Sequence, residues 1–396
     1  MKRNLIPCLL TVLVIAGCTE RETDGRKWYK GNLHTHSYWS DGDEFPEMIM
    51  DWYKSHDYDF VSLTDHNILA QGEKWVVVRR GRLYEEAFEN YLAKFGEEWV
   101  TFKRDTGRVQ VRLKTYDEYR TLFEDENFLI IRAEEISDRF EGKPIHINAT
   151  NLQALVKPQG GNSVTEVMQR NVDAVLKQRQ ETGVPMFPHI NHPNFHFAIT
   201  AQDLIGLRGE RFFEVYNGHP QVYNYGDSTR PGTEYIWDEV NMAYYRKNQP
   251  YLYGLATDDT HNYHQLGSQY SNAGRGWVMV RSDSLTPSSL IEAMERGDFY
   301  ATTGVILDDI SVRENVIHVD VKEEEGVKYE IQFIGATGQD QQAKILEKVE
   351  GPEATFELRD SYIFVRAKIL SDKPKENPFQ EGDVEMAWTQ PVRGDQ

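Results

Sequence analysis

Cysteine is nearly absent from this chain of 396 residues: its two cysteines, Cys8 and Cys18, both fall within the first eighteen positions. That excludes a disulfide framework or a cysteine-bound metal in the body of the protein. Runs of basic residues are missing as well, and 63 Asp and Glu against 44 Lys and Arg give a net charge of −19. Nothing there would neutralise a phosphate backbone, which excludes nucleic acid and anionic membrane surfaces as main partners. The longest apolar run, residues 5–15, is too short for a permanent transmembrane helix, which needs ~20 residues. Aromatics are plentiful: eight Trp, 18 Phe and 21 Tyr, within 39% apolar residues, suffice for a large core. The length suits one α/β domain of about 250 residues plus something smaller.

The N-terminus reads as an address. Lys2 and Arg3 precede the apolar run, and Ala16-Gly17-Cys18 follows it, the layout of a secretory signal. Val14-Ile15-Ala16-Gly17-Cys18 resembles a bacterial lipobox, in which the cysteine is acylated and becomes the first residue of the mature protein. The resemblance implies a signal peptide over 1–17, a lipid on Cys18 and a polar tether over 18–27. The expected location is that of an exported, membrane-anchored bacterial lipoprotein, in the periplasm or at the cell surface. A soluble secretory signal is the alternative. Loss of 1–17 removes Lys2 and Arg3 and takes the charge from −19 to −21.

The chemistry begins at Gly31-Asn32-Leu33-His34-Thr35-His36, followed by Asp41-Gly42. Two histidines two residues apart on an extended segment face the same side, roughly 6.5–7 Å apart, and can share a metal ion. Gly42 lets the chain turn back so that Asp41 can face the same hollow. Alone, His-x-His is equally a polar strand edge. The later strand ends decide between the two readings.

A helix is predicted over 44–56, then a buried strand over 59–64 that ends in Asp65-His66. Adjacent side chains on a strand diverge, so His66 is read as a ligand and Asp65 as a group orienting a ligand imidazole. Residues 71–126 are charged and irregular, with interspersed aromatics, and read as an insertion over the active-site face or as plain scaffold. Strands follow at 128–137, with Glu134 and Glu135, and at 144–149, with His146. A helix over 164–182 leads to a strand ending in His192-Pro193, where the proline stops ladder pairing. Further strands end at Asn217-Gly218 and at Asp258-Asp259-Thr260-His261. Parallel α/β folds place ligands and catalytic groups at such carboxyl ends, and six agreeing sites are hard to explain by chance. After about residue 305 the pattern changes to alternating strands that read as a small β-sandwich-like domain over 305–396. Its role is packing, or binding of carbohydrate or protein.

The ordered set His34-x-His36, Asp41, Asp65-His66, Glu135-Ile136-Ser137, His146, His192-Pro193 and Asp259-x-His261 resembles the PHP (polymerase and histidinol phosphatase) superfamily. Gly274-Arg275-Gly276-Trp277 and the run over 297–304 resemble its CehA/McbA-like metallohydrolase branch. The resemblance implies an α/β fold, a distorted (β/α)7 TIM-like barrel over 28–304, with two or three metal ions at the strand carboxyl ends. Carried over residue by residue, it assigns His34, His36, Glu135 and Asp259 to a first ion. Glu135, bridging, with His146 and His192 would hold a second; Asp41, His66 and His261 would hold a third. It selects Glu135 over Glu134, Asp259 over Asp258 and His192 over His189, leaving the unselected three as supporting groups or plain strand residues.

Six imidazoles and three carboxylates suit Zn, Mn or Fe better than Mg or Ca. Closely spaced ions depress the pKa of a bridging water, and the expected reaction is attack by that hydroxide on a small phosphomonoester or phosphodiester. A carbamate, ester or amide hydrolase is the alternative within the enzymes; a glycan- or protein-binding lipoprotein with structural metals is the alternative outside them. Nine ligands for three ions leave open positions, which favours catalysis. Arg275, between two glycines, and Arg139 are the candidate phosphate-binding cations. Asn217, His219, Tyr38 and Trp39 are candidate substrate contacts. Composition says nothing about the oligomeric state.

Overall fold

A computed structural model describes residues 25–394 apart from residue 106; the expected signal peptide, Cys18 and most of the tether lie outside the described residues. The chain opens with β1 (Lys27–Asn32), α1 (Pro46–Ser55) and β2 (Phe60–Leu63). The region read as an insertion forms β3 (Trp75–Val77), α2 (Arg82–Phe95), β4 (Phe102–Asp105), β5 (Arg108–Arg112) and α3 (Tyr116–Phe123). Next come β6 (Leu129–Phe140), β7 (Lys143–Thr150), α4 (Val164–Thr182), β8 (Phe187–Ile190), α5 (Ala201–Ile205), β9 (Phe212–Asn217), α6 (Thr233–Arg246) and β10 (Tyr253–Thr257). β11 (Trp277–Ser282), α7 (Pro287–Arg296) and β12 (Phe299–Thr302) lead to β13 (Leu307–Arg313), β14 (Val316–Val321) and β15 (Tyr329–Thr337). The chain closes with β16 (Lys344–Glu350), β17 (Glu353–Glu357), β18 (Tyr362–Pro374) and β19 (Val384–Thr389). No helix among these is long and apolar enough to cross a membrane.

Local sequence explains the clearest elements. α4 starts where the Ser163 hydroxyl accepts the Glu166 N–H and ends at Gly183, whose φ of 69° favours glycine. Between them Val164, Val167, Met168, Val172 and Val175 bury one stripe against the sheet. β2, β8 and β9 are buried along their whole length, as strands covered on both faces are.

The result is a mixed α/β fold around one large sheet, in the order β10-β9-β8-β7-β6-β2-β1-β11-β12-β19-β18-β15-β16. Of the expected distorted (β/α)7 barrel, the structure shows the mixed α/β sheet, with one strand reversed. β7 runs antiparallel to both β6 and β8, because a tight hairpin over 140–143 replaces a crossover helix. The edge strand β10 meets β1 only past their ends, where Thr35 and Thr260 form a single parallel bridge. There the His36 N–H donates to the Thr260 carbonyl at 2.9 Å, and the Asp259 N–H donates to the His34 carbonyl at 2.9 Å. The ring is thus drawn together at the rim that carries the histidines.

The insertion has its own sheet, β3-β5-β4, and packs its aromatics against α1 and the turn after β1. At the other end, β13-β14-β17 forms a second layer over β15, β18 and β19, with Ile317, Val319, Phe333, Phe356 and Ile369 between them. This is a two-layered β arrangement, but its larger layer is continuous with the central sheet: β12 pairs with β19 through Tyr300 and Thr389, Ala301 and Trp388, Thr302 and Ala387.

Candidate metal centre

The strand order brings the chemistry to one rim. β1 ends before His34 and His36, β2 before Asp65 and His66, β8 before His192, and β10 before Asp259 and His261. Glu135 lies inside the long strand β6, held level with His66 by a parallel bridge. His146 reaches the same rim because β7 runs the other way and pairs it with Ser137. All nine expected ligands converge.

In the deepest group, His34 Nε2 and His36 Nε2 each lie 3.2 Å from Asp259 Oδ1. The Glu135 oxygens are 3.6 Å from His34 Nε2 and 3.7 Å from His36 Nε2. Ligand atoms ~2.0–2.2 Å from a tetrahedral zinc lie about 3.3–3.6 Å apart, so the spacing fits one ion. His34 Nε2, His36 Nε2 and Asp259 Oδ1 are buried without a hydrogen-bond partner in the protein. Such atoms are costly unless something else satisfies them, and a shared cation does so.

Glu135 joins this group to the next. Its Oε1 lies 2.9 Å from His146 Nδ1 and 3.5 Å from His192 Nε2, and its Oε2 lies 2.5 Å from His66 Nδ1. The ligand groups differ from the expected pairing: His146 clusters with Glu135 and His66, and His192 with Glu135 and His34. The last group gathers on Asp41 Oδ1, which is 3.4 Å from His261 Nε2, 3.6 Å from His66 Nε2 and 3.8 Å from His36 Nδ1. His36 therefore offers one nitrogen to each side. The turn behind Asp41 needs Gly42, since a Cβ there would sit 2.6 Å from the His36 carbonyl.

Crowding sets the proton affinities. Burial opposes a charge on His34, but Asp259, Glu214 and Glu135 outweigh it and lift its pKa to about 9. Burial, with His261 and His66 beside it, pushes His36 down to about 3. Burial lowers and Glu135 and Asp41 raise His66, to about 11. Against burial, the imidazoles around them hold Glu135 and Asp259 well below the usual carboxylate range. Metal cations would replace those protons as the counter-charge. Two ligands, His192 and Asp259, have positive φ angles of 23° and 50°, a strain that clusters at functional sites.

The groups behind the ligands differ from expectation. Asp65 is buried, and its carboxylate accepts from the Ser37 N–H at 2.8 Å and from the hydroxyls of Ser37 at 2.7 Å and Ser40 at 2.6 Å. It clamps the turn between His36 and Asp41 and orients no imidazole directly. That task falls to Glu214, which strand reading did not single out. Glu214 accepts from the His192 N–H at 2.7 Å, Asn217 Nδ2 at 2.8 Å and Thr257 Oγ1 at 2.8 Å, and faces His34 Nδ1 at 2.6 Å. The available signal was an acid in the middle of a strand buried along its length. Asn217 also donates to Asp259 at 3.1 Å, and Asn191 to Glu135 at 2.8 Å.

Alternation along the strands separates the acidic pairs. Glu134 turns away to accept the Val156 N–H, and burial raises its pKa to about 8. Asp258 accepts from Tyr53 and from the Arg275 and Gly276 N–H groups. His189 sits behind His34, 3.4 Å from Glu214.

Neither arginine meets the expectation of a phosphate-binding cation. Arg275 is fully buried, its guanidinium donating to the carbonyls of Gly218, Tyr270 and Gly267 and to Asn377. The flanking glycines serve this packing: a Cβ at Gly276 would meet the Thr257 carbonyl at 2.9 Å. Arg139 is exposed four residues beyond Glu135, ~13 Å along the strand and outside the ligand groups. Tyr38 and Trp39 are buried against the insertion, so they are core residues.

No family model matches the chain, and no curated protein does. Several solved structures are similar to it, three of them as follows. One, from Bacteroides vulgatus, is a two-domain protein containing a predicted PHP-like metal-dependent phosphoesterase; it is 15% identical, with 93% of this chain and 96% of that one covered at a TM-score of 0.43. Another, described as a metal-dependent phosphoesterase from Bifidobacterium adolescentis, is 10% identical, with 59% and 88% covered at 0.30. An amidohydrolase from Chromobacterium violaceum is 11% identical, with 61% and 90% covered at 0.29.

Proposed function

We propose that this protein is a metal-dependent hydrolase of small phosphoesters, built on a site for two or three divalent ions. The observation that carries the reading is the convergence of nine imidazoles and carboxylates on one rim, with three buried ligand atoms, His34 Nε2, His36 Nε2 and Asp259 Oδ1, unpaired. Bound ions would supply an activated water and a Lewis acid for the developing oxyanion. The chain's own part is to hold that arrangement still. Glu214 fixes the His34 ring, Asn191 and Asn217 fix the carboxylates, and Asp65 fixes the turn that carries Asp41.

The overlap of the ligand groups through Glu135, His36 and His66 favours phosphorus over a carbonyl carbon. Several cations around one small hollow match the spread charge of a phosphoryl group. The sequence resemblance over 274–277 and 297–304 supports a finer kinship with the CehA/McbA-like branch.

The test is hydrolysis by the purified full chain, with metal content confirmed by elemental analysis. Cleavage of an aryl phosphomonoester or phosphodiester in preference to an aryl ester is expected. Inactivity toward both phosphate esters with metals bound overturns the reading, and cleavage of the aryl ester alone replaces it with a carboxylester hydrolase. The lipobox-like segment supports an exported, lipid-anchored protein. Labelling with a fatty acid that depends on Cys18 is the expected result; labelling that survives Cys18→Ser refutes it.

A further inference from the structure

His219 belongs to none of the ligand groups, yet it stands among them. It lies two residues beyond β9, half-buried, with its ring edge-on to that of His261 at 5.6 Å and to that of Phe195 at 5.5 Å. Phe195 in turn lies 5.0 Å from the His192 ring. His219 thus stands beside one candidate ligand, His261, and is linked to a second, His192, through the Phe195 ring.

Two hydrogen bonds hold it there. Its own N–H donates to Asn217 Oδ1 at 2.8 Å, and its Nδ1 accepts the Gln221 N–H at 3.2 Å. A nitrogen that accepts a backbone N–H carries no proton, so the ring is neutral and its proton sits on Nε2. Asn217 also donates to Asp259, so the same residue fixes a metal ligand and the backbone of His219. A fixed, neutral N–H at the edge of a cluster of acceptor-rich ligands is the kind of donor that catalytic sites aim at developing negative charge.

We propose that His219 is a catalytic residue that donates a hydrogen bond from Nε2 to a phosphoryl oxygen of the substrate. No proton leaves the ring: the donor stabilises charge and does not act as a general acid. The inference rests on the phosphoester reading, and it adds a protein donor to a site otherwise built of metal ligands.

The test compares His219→Ala and His219→Gln in the metal-loaded full chain. For His219→Ala, kcat on an aryl phosphate is expected to fall ~100-fold, the usual cost of one such donor. The inhibition constant of inorganic phosphate should rise, and the metal content should stay at the wild-type value. His219→Gln, which keeps a side-chain N–H, should recover part of the loss. In the zinc-loaded wild type, nitrogen NMR should show an Nε2–H tautomer whose signal shifts when inorganic phosphate is added. Unchanged kcat and phosphate inhibition in His219→Ala overturn the proposal. So does the loss of a metal equivalent, which would make His219 a ligand, or a ring protonated at Nδ1. If the wild type cleaves no phosphoester, the functional reading fails on its own, and the phosphate-dependent NMR shift still decides whether His219 meets the anion.

Discussion

Around Asp259 the ligand side chains are sealed in: His34 is 0% exposed, Glu135 1% and Asp259 5%. Around Asp41 they open to solvent, with His261 at 18%, His66 at 27% and Asp41 at 57%. The inner group is backed by Glu214, Asn191 and Asn217, all buried. The outer group has a thinner support, a glycine turn clamped by Asp65 and braced by Arg79 on the Asp41 carbonyl at 2.9 Å. Buried, hydrogen-bonded ligands are preorganised and lose little freedom on binding an ion, whereas an exposed carboxylate must be ordered and desolvated. In the proposed site the inner group would hold its ion more tightly, and the outer group, on the exposed side, would exchange its ion more readily.

The sharpest break in that contrast is removal of an inner ligand. His34→Ala or Asp259→Ala should abolish hydrolysis, with far-ultraviolet circular dichroism unchanged; near wild-type turnover in either would remove the inner ion from the scheme. Glu214→Gln keeps the shape but withdraws the charge behind His34. It should weaken metal binding ~10–100-fold in competition with a chelator, the usual cost of losing a ligand's outer partner. Asp41→Asn should act only on the outer group, lowering turnover about tenfold in a way that added metal partly restores. A complete and irreversible loss there would make the two groups one. The smallest effect concerns support from afar. Burial pushes Lys375 down to about 7, well below the value of an unfolded lysine. Its folded-state pKa is depressed, so stability should rise with pH between about 7 and 10.5, as the unfolded chain takes up the proton in that window. Lys375→Met should flatten this rise in the melting temperature, and a slope equal to that of the wild type would count against a neutral buried amine.

Most of the candidate ligand set was legible because His34, His36, His66, His192, Asp259 and His261 each follow a strand closely, and strand ends share a rim. His34-x-His36 and Asp259-x-His261 are local patterns, readable without knowing which strands pair. Glu214 was not, because it sits inside Phe212–Asn217, which reads as an apolar strand, and its role appears only when the segments after β1 and β8 and the end of β10 meet around β9. Arg275 misled for a related reason. Glycines on both sides permit close approach to a ligand or to the protein's own carbonyls, and only the fold shows that the carbonyls win. The alternating pattern after residue 305 does form strands, but the pairing of β12 with β19 joins segments far apart in the chain, and no local pattern encodes it.

Arg275 sits where that pairing matters most. It donates to carbonyls in the loop that follows His261, and it receives Asn377 on its guanidinium and Lys375 on its own carbonyl, at 2.7 Å. The change of sequence style near residue 305 is therefore no seam along which the molecule can be cut. A shortened version ending there would keep every ligand and lose the clasp on the loop beside them, together with the neighbour that β12 needs. Exchanging these last strands for others would remove that clasp unless the replacement supplied it again, so the C-terminal strands hold the loop beside the candidate ligands from a distance in sequence.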